Sequence, residues 1–309
     1  MNIKKILLSI RNKFSMIHDP ILPLNFEKLR IHLLSLDNKE LAQVFAKKRV
    51  PGDVMSTYFG LLPKVDIQSQ FTGLSEEQTF LQALTYLNFC RDMAQSFNNK
   101  FGSDEKQTVL DFGCGWGRIT QLLSLYFKAE HITGGDVMLT AVNMCKELGA
   151  RANYEHFKIW PPSLMKDSSI DYIFAYSVFS HLSEENAGAW VREFSRILKP
   201  GGIAFLTTRH RSFFAYLKTL HAASDFPSFA NGAAKAFKDT DATIKAYDNG
   251  IFCFDSMGSG GTELTAVYGE AFIPYAYAQR AWEPYFSKIE YCEPVTEGLL
   301  DQATLVLCK

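Results

Sequence analysis

From residue 108 onward, short apolar runs alternate with segments whose apolar residues recur every three or four positions, the signature of strands alternating with amphipathic helices. Thr108 to Phe112 is β-rich, and Ile119, Leu122, Leu123, Tyr126 and Phe127 follow at helical spacing. His131 to Asp136 ends a second strand, Thr140 to Leu148 is helical, and Tyr154 to Ile159 supplies a third strand. Ile170 to Tyr176 is the clearest buried strand. The next helix has Ser183 as its cap, Glu184 and Glu185 in its first turn, and an apolar stripe of Trp190, Val191, Phe194, Ile197 and Leu198. Pro200 and Gly201 stop it, and Gly202 to Thr208 is a fifth strand. A helix across Ile273 to Phe286 and closing strands at Ser287 to Cys292 and Gln302 to Cys308 complete the series. This pattern predicts an α/β, doubly wound, mostly parallel and Rossmann-like sheet of seven strands, covered by helices on both faces.

Two regions break the alternation. Residues 1–104 read as an accessory N-terminal helical segment: Pro20, Pro23, Pro51 and Pro63 punctuate short helices and loops. Ser75 and Gln78 form a capping box for a helix carrying Phe80, Leu84 and Leu87, and polar Asn98 to Lys106 serves as a linker. Within the main domain, residues 105–309, an insertion or lid spans 209–268. It is rich in aromatics, among them Phe213, Phe214, Tyr216, Phe226, Phe229 and Phe237, and contains the run Gly258-Ser259-Gly260-Gly261.

A net charge of -1 lacks the basic excess that binding a phosphate backbone requires, so no nucleic-acid partner is expected. The six cysteines form no C-x-x-C pair and stand near no histidine at zinc-ligand spacing, so the chain is read as metal-free, with reduced cytosolic thiols. No apolar run reaches the ~20 residues of a membrane span, and a cytoplasmic protein is expected. Ile3, Ile6, Leu7, Ile10 and Phe14 share one helical face among Lys4, Lys5, Arg11 and Lys13. Membrane-surface contact through residues 1–16 is one reading of that face, and a short helix packed on the domain is the plainer one.

Chemistry concentrates at V-L-D-F-G-C-G-W-G-R, Val109 to Arg118, which joins a buried strand to a glycine-rich turn and then to a helix. Gly113, Gly115 and Gly117 let the backbone turn sharply and approach a ligand without Cβ interference, and the helix start presents free N–H groups. A dinucleotide turn, G-x-G-x-x-G, would need glycine where Arg118 stands, which weakens a dehydrogenase reading.

Asp111 to Gly117 instead resembles the first motif, D-x-G-x-G-x-G, of class I S-adenosylmethionine-dependent methyltransferases. Asp171 to His181 resembles their fourth-strand motif, and Leu198-Lys199-Pro200-Gly201-Gly202 the turn before their fifth strand. The resemblance implies S-adenosyl-L-methionine as cofactor. It implies that Asp111, Gly113, Cys114, Gly115 and Gly117 cradle it, that Asp136 accepts the ribose hydroxyls, and that Val137, Met138, Ile159 and Trp160 flank the adenine. Tyr176 and Ser177, at the end of the fourth strand, join the same set. Gln70-Phe71-Thr72-Gly73, Ala175 to Leu182 and a closing Gly298 to Gln302 segment resemble a bacterial subgroup found with surface-polysaccharide biosynthesis. In that subgroup's pattern Phe71, Thr72 and Gly73 fold over the cofactor; otherwise they are a simple turn before a helix.

Methyl transfer from a sulfonium is an in-line displacement, and an alcohol acceptor must also lose a proton. His181, following the fourth strand at the carboxyl edge, is the first candidate base, and His210 the second; either histidine could equally cap or pack. Tyr58, Tyr176 and Tyr268 are fainter candidates. The implied reaction is O-methylation of a sugar, glycan or other small hydroxylated acceptor. N-methylation of a protein or other acceptor, and an inactive cofactor-binding partner subunit, are the alternatives. Oligomeric state is not legible in the sequence.

Overall fold

The computed structural model describes residues 22–223, 232–256, 266–294 and 302–309. Residues 1–16, the Gly258 to Gly261 run, Phe226, Phe229 and Gly298 therefore lie outside the described residues. The chain forms two compact units, divided between Asp37 and Asn38. In the first, helix α1 (Leu22–Leu34) is the described element. The second holds everything discussed below.

Four helices lead in: α2 (Asn38–Ala46), α3 (Val54–Phe59), α4 (Val65–Thr72) and α5 (Glu76–Ser96). The strands are β1 (Val109–Phe112), β2 (Ile132–Asp136), β3 (Asn153–His156), β4 (Ile170–Ala175), β5 (Leu198–Arg209), β6 (Cys253–Ser256), β7 (Gly269–Phe272), β8 (Lys288–Cys292) and β9 (Gln302–Cys308). Between them run α6 (Arg118–Leu123), α7 (Leu139–Leu148), α8 (Glu184–Ile197), α9 (Phe213–Ala222), α10 (Thr240–Asp248) and α11 (Tyr275–Trp282). Seven strands form one sheet in the order β3-β2-β1-β4-β5-β9-β8. Pairing is parallel from β3 through β5, and β9 is antiparallel to both of its neighbours. The doubly wound, mostly parallel architecture expected from the alternation is the one observed. Its order reverses between β1 and β4, the point at whose carboxyl edge open α/β sheets bind ligands.

Helix α8 shows why the apolar stripe was decisive. Ser183 accepts the Asn186 N–H, and Trp190, Val191, Phe194 and Ile197 bury one face in the core beneath the sheet. In β2, Gly134 and Gly135 are required by packing from the next segment. A Cβ at Gly135 would lie 2.1 Å from the Phe157 ring. Gly135→Ala is expected to destabilise the domain by about 1–3 kcal/mol through overpacking, measured by chemical denaturation. An unchanged midpoint would contradict the packing described.

Several boundaries differ from the sequence expectation. The third strand ends at His156 rather than Ile159, because Phe157 turns onto Gly135 and the Ile159 carbonyl accepts from Asn186 Nδ2 and Trp190 Nε1, each at 3.0 Å. The fifth strand starts at Leu198, with a register shift between Ile170 and Tyr172 absorbing the Pro200-Gly201 turn. The helix after the glycine turn ends at Leu123, and Phe127 instead packs edge-on to Phe101. The helix expected across Ile273 to Phe286 is regular only from Tyr275 to Trp282, since Pro284 forces a 3₁₀ turn. No capping box forms at Ser75: its side chain makes no cap bond, and the Glu76 N–H is taken by Gln68 Oε1 at 2.8 Å.

The insertion has its own small core. Phe214, Leu217, Leu220, Phe237 and Tyr247 close around Phe272 of β7, with Phe214 stacked on Phe272 at 4.0 Å. Its aromatics thus build the insertion, Tyr216 alone of the described ones named above being exposed. Among the described residues, no helix is long and apolar enough to cross a membrane.

Candidate active site

Three loops meet at the carboxyl edge beside the switch point. The first is the glycine turn. Gly113, Gly115 and Gly117 have φ of +73°, +54° and +83°, conformations that side chains disfavour. Val178, from the loop after β4, and Phe71, from the end of α4, sit where Cβ atoms at Gly113 and Gly115 would be, at 2.4 and 3.0 Å. Gly73 ends α4 in the left-handed conformation. The Phe71 to Gly73 segment is therefore laid against the turn, and Thr72 Oγ1 is 3.0 Å from Thr79 Oγ1 of α5.

The second element is the end of β2. One Asp136 oxygen accepts the Gly115 N–H at 2.9 Å and the other the Met138 N–H at 2.8 Å. An ionised carboxylate has about four lone-pair sites, so each oxygen retains capacity for a ligand hydroxyl. Burial raises the Asp136 carboxyl above its ordinary value, against the lowering effect of those two N–H bonds. Asp111, fully enclosed, is pushed to about 6 by burial while Thr120 donates to it. Val137 and Met138 follow Asp136, with Met138 exposed, and half-buried Ile159 and Trp160 occupy the loop that α8 pins through Asn186 and Trp190. Cys114 is buried and free, as are the other cysteines of the turn's surroundings, and Cys145 Sγ donates to the Gly115 carbonyl.

The third element is the loop after β4. Ser177 adopts φ +58°, held by a closed set of bonds: its N–H donates to Thr207 Oγ1, Thr207 Oγ1 donates to Gln302 Oε1, and Gln302 Nε2 donates to Ser177 Oγ. The Tyr176 ring lies under the Arg118 guanidinium at 5.2 Å. Beyond, His181 Nδ1 donates to the Gly269 carbonyl at 2.8 Å. That carbonyl can only accept, so in the neutral ring Nε2 is the basic nitrogen, and it has no hydrogen-bond partner among the described residues. Glu270 lies 3.6 Å from His181 Nδ1 and is itself bonded by Arg209 Nε at 3.0 Å. Tyr268 stacks on the imidazole at 5.0 Å. Burial lowers the His181 pKa, opposed in part by Glu270.

His210 directly follows β5. Its Nε2 is 2.8 Å from Glu293 and its Nδ1 2.9 Å from Ser212 Oγ, so both nitrogens are occupied. Tyr58 belongs to α3, where Arg151 stacks on its ring. Glu270, Arg209 and Thr207 were not legible as site residues; Gln302 stood out only in the closing segment. Among the described residues no cluster suited to a metal ion occurs.

Residues 109–202 match the family described as methyltransferase domain. An ubiquinone biosynthesis O-methyltransferase from Colwellia psychrerythraea is 24% identical over 172 residues, covering 53% of this chain and 68% of that protein. One from Aromatoleum aromaticum is 23% identical over 168 residues, covering 52% and 70%. A solved S-adenosylmethionine-dependent methyltransferase from Clostridium acetobutylicum aligns over 74% of this chain and 90% of its own, at 12% identity and a TM-score of 0.47. Strand order, glycine turn and family match define a class I methyltransferase domain. The chain is an S-adenosylmethionine-dependent methyltransferase.

Proposed function

We propose that the enzyme O-methylates a small hydroxylated acceptor, a sugar or glycan hydroxyl, in cytoplasmic steps of surface-polysaccharide synthesis. The observation that carries the reaction type is His181: a nearly buried imidazole whose Nδ1–H is engaged and whose Nε2 is left to accept a proton. An N-methyltransferase acting on a neutral amine has less need of such a base. The sugar part rests on the resemblance of Ala175 to Leu182 and Phe71 to Gly73 to the polysaccharide subgroup.

S-adenosylmethionine, when bound, supplies the electrophilic methyl group. In this reading the Asp136 oxygens take the ribose hydroxyls, the Gly113 to Gly117 turn lies against the cofactor backbone-first, Val137, Met138, Ile159 and Trp160 flank the adenine, and Phe71 to Gly73 cover it. Tyr176 and Ser177, at the end of β4, complete the cofactor's surroundings. His181 Nε2 removes the acceptor's hydroxyl proton as its oxygen attacks. Glu270 is a positioning residue, holding the ring orientation and stabilising the imidazolium that forms, while Arg209 fixes Glu270.

Because the neutral ring is the active form, turnover falls as pH drops through the His181 pKa, and burial sets that midpoint below the ordinary histidine value of 6.5. Glu270→Gln removes the influence that raises it. The variant is expected to move the midpoint to still lower pH and to cut kcat by about 10-fold, from lost orientation of the ring. A profile unchanged in both respects would separate Glu270 from His181.

The acceptor is tested by incubating the protein and labelled S-adenosylmethionine with nucleotide sugars, oligosaccharides, hydroxylated aromatics and amines. Label on a sugar oxygen is expected. Transfer to aromatic hydroxyls alone would overturn the sugar assignment, and transfer to amines alone the O-methylation itself.

A further inference from the structure

We propose that Arg118 is the anchor for the α-carboxylate of the cofactor's methionine portion. The inference rests on the S-adenosylmethionine reading and is independent of the acceptor. Arg118 is 5% exposed, yet it makes no salt bridge with any described carboxylate. All of its hydrogen bonds leave from one nitrogen: Nη1 donates to the Thr79 carbonyl at 2.8 Å, to Thr79 Oγ1 at 3.1 Å and to Gln82 Oε1 at 2.9 Å. Nε and Nη2 have no acceptor among the described residues.

A link between α6 and α5 would be complete with Nη1 alone, and a neutral donor could make it. Burying a guanidinium is costly unless an anion compensates it. Asp111, whose charge acts on it, is engaged by Thr120 and shares no hydrogen bond with Arg118. The free donors are in the right place for a ligand anion. Arg118 directly follows the glycine turn, its guanidinium lies over Tyr176 at the end of β4, and its partner Thr79 contacts Thr72 beside Phe71. The glycine turn, the end of β4 and, through Thr79, the Phe71 to Gly73 segment thus border one buried cation. Planar, always-charged arginine suits bidentate capture of a carboxylate.

The test compares S-adenosylmethionine with decarboxylated S-adenosylmethionine, which differs in that one group, by calorimetric titration. The wild type should prefer the carboxylated compound by ~10- to 100-fold, the worth of a charge-assisted contact. Arg118→Gln should abolish the preference and leave affinity for the decarboxylated compound within about 3-fold. A variant that keeps the preference, or that weakens both compounds equally, overturns the assignment. Should Arg118→Gln not fold, the wild-type Arg118 Nε resonance decides: a shift on adding S-adenosylmethionine but not the decarboxylated compound supports it, and equal shifts refute it. A wild type that binds neither compound fails the cofactor reading itself, a distinct outcome.

Discussion

Asp136→Ala is expected to weaken S-adenosylmethionine binding by ~100-fold, about 3 kcal/mol, because two ribose hydroxyls lose a charged acceptor. The same carboxylate accepts the Gly115 and Met138 N–H groups, so alanine also leaves two enclosed donors without partners and lowers stability by about 1–3 kcal/mol. Asp136→Asn separates the two effects. It keeps one acceptor oxygen, so one of the two N–H bonds survives: the stability loss should be smaller than alanine's, with a ~10-fold loss in affinity. Titration calorimetry and thermal unfolding of the same samples measure both. A folded alanine variant with wild-type affinity would remove Asp136 from the cofactor site.

His181→Ala should lower kcat by ~10²- to 10⁴-fold, the usual contribution of a general base, while cofactor affinity changes little. The separation matters, because His181 also ties its loop to β7 through the Gly269 carbonyl. If that tie were its whole role, His181→Gln, which preserves a donor, would restore turnover. Restoration by glutamine, or full activity in the alanine variant, would dismiss the base. A loss in both variants with intact cofactor binding is the predicted result.

The parts of this site that follow one another along the chain were readable without coordinates. The buried strand before Gly113, the positive-φ glycines and the acid ending β2 are local features, each demanded by backbone conformation or by a strand end. The periodicity of α8 and the Ser183 cap were likewise legible because the apolar stripe and the cap lie within a few residues of one another. What stayed hidden depends on contacts between distant segments. Glu270 and Arg209 meet His181 only because β7 passes beside the loop after β4, and the short run Gly269–Phe272 carries no periodicity to announce a strand. Arg118 was visible only as a departure from a glycine pattern; its meaning came from α5 and Tyr176 closing around it. The capping box at Ser75 did not form either: its side chain makes no cap bond, and Gln68, from the preceding helix, ties down the neighbouring Glu76 N–H instead.

Titration of the purified chain with S-adenosylhomocysteine, S-adenosylmethionine and NADH tests the central claim most directly. One-to-one binding of both sulfur nucleosides and none of NADH is expected. Folded protein that binds NADH, or that binds neither sulfur nucleoside, would contradict it.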